Sequence, residues 1–238
     1  EEAAATYARA VALARQLGDE ETADQLAMRR GAVLRENQDY AAATEAFRKL
    51  ALATANPELA PQAHFLAVTS AALAARESHE RLTSYSELLQ EHLSQWPDAE
   101  SANQVRLWLG RLRTSEGQRS EAMQLWMEID PSFAQFHNVL QLLDAEAKKE
   151  LTSPEGTSIQ QHKLRDRVAQ FLDQAYLEEE TLPDDWSTEQ QWALLAASRT
   201  RLFGASAHPT DLPRVEEALT AALDSTWESE SQQATCQA

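Results

Sequence analysis

The sequence predicts an all-α fold in which antiparallel helix hairpins stack into an α-solenoid. Apolar residues recur at intervals of three and four, as in the stripes Tyr40, Ala43, Phe47, Leu50 and Val215, Ala218, Leu219, Ala222, Leu223. This spacing places them on one face of a helix. Alternation with a period of two is nearly absent, which argues against strands. The 6 glycines and 8 prolines of the 238 residues mostly fall between the helical stretches, where helices end and begin.

We expect eleven helices, separated by short links that favour antiparallel neighbours. Their predicted ranges are 2–17, 20–36, 39–54, 59–76, 79–95, 99–115, 118–129, 132–149, 158–179, 187–203 and 211–227. The polar tail 228–238 is predicted to be disordered.

A small residue and an aromatic residue recur at fixed distances in two hairpins. Gly31 precedes Ala43 by 12 residues and Phe47 by 16, and Gly110 precedes Ala122 and Trp126 by the same distances. An interior glycine costs a helix roughly 1 kcal/mol relative to alanine, so each needs a packing reason. We expect the small residues to face each other where two helices cross, with the aromatic ring filling the space beside them.

This pattern resembles the tetratricopeptide repeat (TPR), in which a small residue is followed by an aromatic residue, an alanine and a second aromatic residue. Gly31, Tyr40, Ala43 and Phe47 match all four positions, whereas Gly110, Ala122 and Trp126 match three, with Arg119 in place of the first aromatic residue. The resemblance implies a right-handed superhelix with TPR-like repeats over 1–131. Residues 1–19 are similar to the second helix of a repeat whose first helix would precede them. Residues 132–227 are expected to continue the solenoid as degenerate hairpins.

A narrower resemblance covers Leu88–Ala122, where the turn Trp96-Pro97-Asp98-Ala99-Glu100-Ser101 is followed by Leu109-Gly110 and Glu116-Gly117. It is similar to repeats of bacterial cell-envelope assembly proteins, which carry tyrosine where Trp96 stands. Asp98 or Ser101 is the expected cap of the next helix. The compartment stays open between cytoplasm and periplasm.

The charge of the chain excludes one class of partner. With 21 basic and 38 acidic residues, the net charge is −17. Nucleic-acid binding depends on a basic surface that neutralises phosphates, so no nucleic-acid partner is expected.

No run of 18 apolar residues is present, so this segment is not expected to insert into a membrane.

No catalytic or metal-binding motif is recognisable. The six histidines lack the spacing of a helical zinc site, and no phosphate loop or nucleophile elbow occurs. His64 is expected to be a packing residue, Cys236 to be inert, and the six tryptophans to be mainly core residues. The acidic stretch around Glu178–Asp185 is expected to be solvated, with docking of a basic partner or calcium as the alternative. We therefore predict no catalytic residues, no metal, no cofactor and no enzymatic activity.

The resemblance places a binding groove on the concave face, lined by the first helix of each repeat. The candidate groove residues are Gln25, Met28, Arg35, Ser70, Gln104, Leu107, Arg111 and Thr114. The lysine and asparagine of a carboxylate clamp are missing from the corresponding positions. A mixed groove of this kind is suited to an extended peptide or a partner helix.

The leading hypothesis is a non-enzymatic protein–protein interaction scaffold that binds a peptide or protein segment in this groove. An alternative is an accessory or regulatory helical-repeat domain of a larger protein that assembles the envelope or contains an enzyme. Self-association into a homo-oligomer is a third possibility.

Overall fold

The chain is all-α over the residues that the computed structural model describes, which are 2–151, 158–173, 187–202 and positions 213, 215, 216, 219 and 220. Its helices are α1 Glu2–Gln16, α2 Glu20–Glu36, α3 Tyr40–Ala53, α4 Leu59–Glu77, α5 Leu82–Gln95, α6 Ala102–Ser115, α7 Arg119–Met127, α8 Phe136–Leu151, α9 Ser158–Asp173 and α10 Thr188–Leu202. The predicted helix 211–227 falls mostly outside the described residues, and the predicted disordered tail lies wholly outside them.

Three predicted helix starts are displaced by local turns. Residues His79–Arg81 form a short 3-10 helix before α5. Helix α6 begins at Ala102 instead of residue 99, because the backbone first turns through hydrogen bonds from Ala99 to Trp96 and from Ala102 to Ala99. Helix α8 begins four residues late because the Asp130 carboxylate accepts the Ser132 amide at 2.8 Å and stabilises a turn.

The hairpin corners share one geometry. At the end of α2, the amide of Asp39 donates to the carbonyl of Leu34 and that of Gln38 to Arg35, which is a Schellman motif. The corner residue is left-handed, with φ of 63° at Gln38, 75° at Gly18 and 80° at Gly117. Asp19 and Asp39 then cap α2 and α3 by accepting amides three residues later. These corners reverse the chain within three residues.

The chain divides into two compact units, Glu1–Leu112 and Arg113–Ala238, here called the N-terminal and C-terminal units. In the N-terminal unit, successive helices pack in order from α1 to α5. Its core is rich in alanine, including Ala43, Ala63 and Ala67, all fully buried. Small side chains let the helix backbones approach closely. In the C-terminal unit, α8, α9 and α10 contact one another pairwise and α7 packs on α8.

The residues predicted to pack the repeats are mostly buried. The ring of Phe47, itself 1% exposed, lies against Gly31, and a Cβ atom at Gly31 would stand 2.6 Å from ring atoms Cδ1 and Cζ. No side chain larger than hydrogen fits there without movement. Ala43, Gly110, Ala122 and Trp126 are buried as well, while Tyr40 is half-buried.

Candidate binding site in the N-terminal unit

A groove of about 690 Å³ lies between α2, α4 and the start of α6. We call it the α2–α4 groove. Its apolar lining comes from Met28, Pro61, Phe65, Leu66 and Ala99, its neutral polar lining from Gln62, Ser101 and Gln104, and its acidic lining from Glu58 and Glu100. Phe65 is held by stacking on Trp108, with the ring planes 7° apart and the centroids separated by 5.5 Å. The groove thus combines a fixed apolar wall with polar side chains.

Two of the eight predicted groove residues line this cavity. Met28 and Gln104 lie 76 positions apart in the sequence and reach it from α2 and α6. Gln25, Arg35 and Arg111 are not among its lining residues. Gln25 is exposed and contacts Glu21, Arg35 is half-buried in the last turn of α2, and Arg111 is exposed.

Of the three remaining predicted groove residues, two are buried and one belongs to the C-terminal unit. Ser70 and Leu107 are fully buried, so neither can contact a partner in this groove. Ser70 donates its hydroxyl to the carbonyl of Leu66 within α4, and Leu107 is part of the apolar interior. The register inferred for those helices was therefore wrong at these two positions. Thr114 belongs to the C-terminal unit.

A second cavity of about 390 Å³ lies between α3, α4 and α5. Its wall is more charged than that of the α2–α4 groove, and includes Glu45, Arg48, Arg81, Glu87 and Glu91. Arg48 and Glu91 form a bidentate ion pair across it, with Nε to Oε2 at 2.7 Å and Nη2 to Oε1 at 2.9 Å. At least one cation and one anion of this cavity therefore neutralise each other.

A buried chain of hydrogen bonds connects the walls of the two cavities. Glu91 Oε2 lies 2.9 Å from His64 Nε2, His64 Nδ1 lies 3.2 Å from His92 Nδ1, and His92 Nε2 lies 2.9 Å from Ser101 Oγ. Both histidines are fully buried. Trp96 covers them, with ring centroids 4.9 Å from His64 and 5.7 Å from His92. We call Arg48, Glu91, His64, His92 and Ser101 the His64–His92 relay.

Burial and neighbouring charges set the protonation of the relay. Hydrogen bonding to Arg48 lowers the pKa of Glu91 to about 2. Burial, and to a smaller extent the nearby His64, lowers the pKa of His92 to about 4. Burial also lowers the pKa of His64, an effect that the hydrogen bond to Glu91 partly opposes. At neutral pH, Glu91 is therefore a carboxylate and both histidines are neutral.

Hydrogen-bond chemistry then fixes both histidine tautomers. A carboxylate only accepts hydrogen bonds, so His64 must carry its proton on Nε2 and accept at Nδ1. His92 must donate from Nδ1 to His64, which leaves His92 Nε2 to accept the hydroxyl proton of Ser101. Every member is satisfied, as a buried polar network requires.

Sequence reasoning did not predict this relay, although the pattern of apolar positions contains a partial signal. His64 lies among the buried positions Ala60, Ala63 and Ala67, and His92 shares a helix face with Leu89 and Trp96. Helical periodicity could have predicted that both histidines are buried. It could not have paired them, because they lie 28 residues apart on different helices. Ser101 had been considered only as a helix cap, whereas its hydroxyl contacts His92.

Other predicted features give no second site. Cys236 and the acidic stretch 178–185 lie outside the described residues. Within the residues that the structure describes, no group of three or more histidine, cysteine, aspartate or glutamate side chains could hold a metal ion. No helix in this part of the chain is long and apolar enough to cross a bilayer.

These features define the chain as an all-α protein of packed helices with a groove in its N-terminal unit. No protein-family model matches it, and no curated protein does so either. Among solved structures, it is similar to the crystal structure of BtubC (BKLC) from P. vanneervenii, with 12% identity, a TM-score of 0.39, and coverage of 97% of this chain and 94% of that chain. A likeness at this level carries no functional argument, so function is inferred from the groove itself.

Proposed function

We propose that the N-terminal unit is a non-enzymatic interaction module that binds a peptide or protein segment in the α2–α4 groove. The observation that carries the proposal is the meeting of Met28 and Gln104 in one cavity with Phe65 and Leu66. A concave wall of mainly apolar side chains with a few polar groups is the usual composition of a recognition site. The groove offers an apolar anchor site and hydrogen-bonding groups for a backbone.

The proposal extends to the architecture. Stacked hairpins leave the first helices free to line a continuous surface, and α2, α4 and α6 would be those helices. The packing of Phe47 against Gly31 supports a TPR-like arrangement of α2 and α3. A right-handed superhelix continuing through the C-terminal unit, and an origin in an envelope-assembly protein, stay predictions.

Selection from a random 12-residue peptide library, followed by fluorescence anisotropy with the enriched peptides, tests this function on the full chain. Gln62→Trp should weaken binding at least tenfold, because Gln62 is exposed and an indole there would fill the groove mouth. Met28→Glu should have a similar effect by charging the apolar wall.

Leu52→Glu is the matched control, because Leu52 is 52% exposed and does not line the groove. It should change affinity less than twofold. Circular dichroism would verify that each variant keeps its helix content. Failure to enrich any peptide, or equal losses in Gln62→Trp and Leu52→Glu, would overturn the proposal.

A further inference from the structure

The His64–His92 relay has a direction that one proton can reverse. In its neutral form, Ser101 donates inward to His92 Nε2, so only the lone pairs of Ser101 Oγ are available to the groove. Adding a proton to His64 Nδ1 makes this nitrogen a donor toward His92 Nδ1. His92 must then carry its proton on Nε2 and donate to Ser101 Oγ. The hydroxyl proton of Ser101 is displaced from His92 and becomes available to the groove.

The relay accepts one proton more readily than two. With a single added proton, each nitrogen still meets a complementary partner, and the positive charge on His64 lies beside the Glu91 carboxylate. A second proton would place two N–H groups face to face across the 3.2 Å between the Nδ1 atoms. The charged and titratable groups around the pair come from three elements. They are Arg48 with Glu45 on α3, Glu91 with Glu87 on α5, and Glu100 beside Ser101.

The charge of the groove lining indicates what the half-buried Ser101 would contact there. Glu58 and Glu100 line the groove, and no lysine, arginine or histidine does. Neither glutamate forms an ion pair with any residue that the structure describes. The two carboxylates, the apolar wall and the acceptor oxygen are complementary to a cationic side chain next to an apolar one.

We propose, building on the proposed function, that the α2–α4 groove binds a basic segment whose lysine or arginine donates to Ser101 Oγ, and that one proton on the His64–His92 pair opposes this binding. Protonation weakens the acceptor, because one lone pair of Ser101 Oγ then accepts from His92 and the hydroxyl proton competes with a donor from the groove. It also places a positive charge behind the groove wall. Binding and protonation are linked. If protonation lowers the affinity for the basic segment by some factor, the bound segment lowers the proton affinity of the histidine pair by that same factor.

The test uses two peptides with a rhodamine label whose charge is constant over the pH range, tetramethylrhodamine-Gly-Gly-Leu-Lys-Leu-Lys-Gly-Gly and its counterpart with glutamate in place of both lysines. Neither the lysines of the peptide nor the arginines of the protein titrate between pH 5.5 and pH 7.5. The full chain should bind the lysine peptide at least tenfold more tightly than the glutamate peptide at pH 7.5. Its affinity for the lysine peptide should fall about threefold at pH 5.5.

Two variants separate the relay from general electrostatics. His92→Gln breaks the link by which protonation of His64 reverses the Ser101 hydroxyl, so the affinity for the lysine peptide should depend less on pH than in the unmodified chain. Ser101→Ala removes the acceptor oxygen and should weaken binding at pH 7.5 while reducing the pH dependence to the part that the positive charge on His64 causes. Ser94→Ala, an exposed serine on α5, should behave like the unmodified chain.

A direct readout does not depend on any ligand. Nitrogen-15 spectra of the histidine side chains at pH 7.5 should place the proton of His64 on Nε2 and that of His92 on Nδ1. A different pair of tautomers would overturn the relay and leave the proposed function intact. So would binding of the lysine peptide that keeps its pH dependence in His92→Gln. If neither peptide binds and library selection also fails, the proposed function and this inference fall together.

Discussion

The two units handle buried polar groups in different ways. In the N-terminal unit, the fully buried polar groups include two neutral histidines whose ring nitrogens all have partners. In the C-terminal unit, the buried polar groups include two carboxylates on α8. Asp144 pairs with Lys148 at 2.7 Å and Arg199 at 3.0 Å, and Glu146 pairs with Lys149 at 2.6 Å. Both carboxylate side chains are only 7% exposed.

The type of polar group that is buried decides which change lowers the stability of a unit, acid or the loss of a charged partner. A neutral network has a small desolvation cost at neutral pH but opposes the charging of its histidines. A buried carboxylate needs its cations at all times, because removing one member leaves an unpaired charge. The N-terminal unit should therefore respond mainly to acid, and the C-terminal unit mainly to substitution of charged residues.

The largest effect should come from acid acting on the relay. The pKa of His92 is lowered in the folded chain, so the stabilisation is complete above its unfolded value of 6.5 and is lost as the pH falls toward about 4. The sign follows because the unfolded state binds the proton first. We expect the free energy of unfolding to fall by about 3 kcal/mol between pH 7 and pH 4 through His92. Urea denaturation followed by circular dichroism measures it.

His92→Gln is the control for this prediction, because glutamine retains hydrogen-bonding groups and does not titrate. Its stability should depend less on pH over the same interval. Equal slopes for the variant and the unmodified chain would show that acid acts elsewhere, and would remove the contrast between the units.

The next largest effect should come from Gly31→Ala, which tests the close packing of the N-terminal unit. The new Cβ would overlap the buried ring of Phe47, and overpacking of this kind typically costs 1–3 kcal/mol. Because the ring is fully buried and the overlap is close, we expect the upper end of this cost, about 3 kcal/mol. Alanine's better helix propensity returns about 1 kcal/mol, which leaves a net loss of about 2 kcal/mol in urea denaturation.

A double variant, Gly31→Ala with Phe47→Leu, should recover part of the loss relative to the sum of the single changes. Ala32→Ser, at the exposed neighbouring position, should alter stability by less than about 0.5 kcal/mol. A stabilising Gly31→Ala would mean that Phe47 moves aside freely, and that the helix contact is not tight.

A similar effect should come from Asp144→Asn in the C-terminal unit. Breaking a fully buried ion pair costs about 3–5 kcal/mol. Here the partners Lys148 and Arg199 are 54% and 30% exposed, and solvent screens them. We therefore expect a loss of about 2 kcal/mol, measured by urea denaturation at pH 7.

Glu116→Gln provides the matched comparison, because Glu116 is 39% exposed and Arg113 also pairs with Glu121. It should cost less than about 1 kcal/mol. Similar losses for both variants would indicate that burial does not distinguish these carboxylates.

The smallest effect concerns the hairpin corners, which the two units share. Gln38 has a left-handed backbone with a side chain attached, whereas Gly18 and Gly117 occupy equivalent corners without one. Gln38→Gly should therefore raise the free energy of unfolding by about 0.5–1 kcal/mol. Gly18→Ala should lower it by about 1 kcal/mol through the backbone alone, since a Cβ there meets no atom within 4 Å. Thermal melts of both variants measure these changes in stability. Changes of the opposite sign would contradict a left-handed backbone at Gln38 and Gly18.

Sequence reasoning predicted helix positions well where local chemistry decides them. The range 20–36 matches α2 because Asp19 caps its start and the Asn37–Asp39 corner ends it. It was less accurate where a side chain binds the backbone of a turn, as Asp130 does before α8. Groove residues were predicted only in part, because a shift of one position along a helix turns a side chain by about 100°. Ser70 and Leu107 face the interior of the unit, whereas Met28 and Gln104 line the groove.

By itself, the sequence determined the all-α class, the hairpin corners and the acidic character of the chain. These properties follow from periodicity, capping and net charge, which act between residues close in the chain or add over all of it. Only the tertiary structure decided which faces meet. It placed Phe47 on Gly31, joined His64 to His92, and brought Met28 to Gln104. Such contacts depend on how neighbouring helices cross, and small side chains such as alanine allow many crossings that the sequence alone does not distinguish.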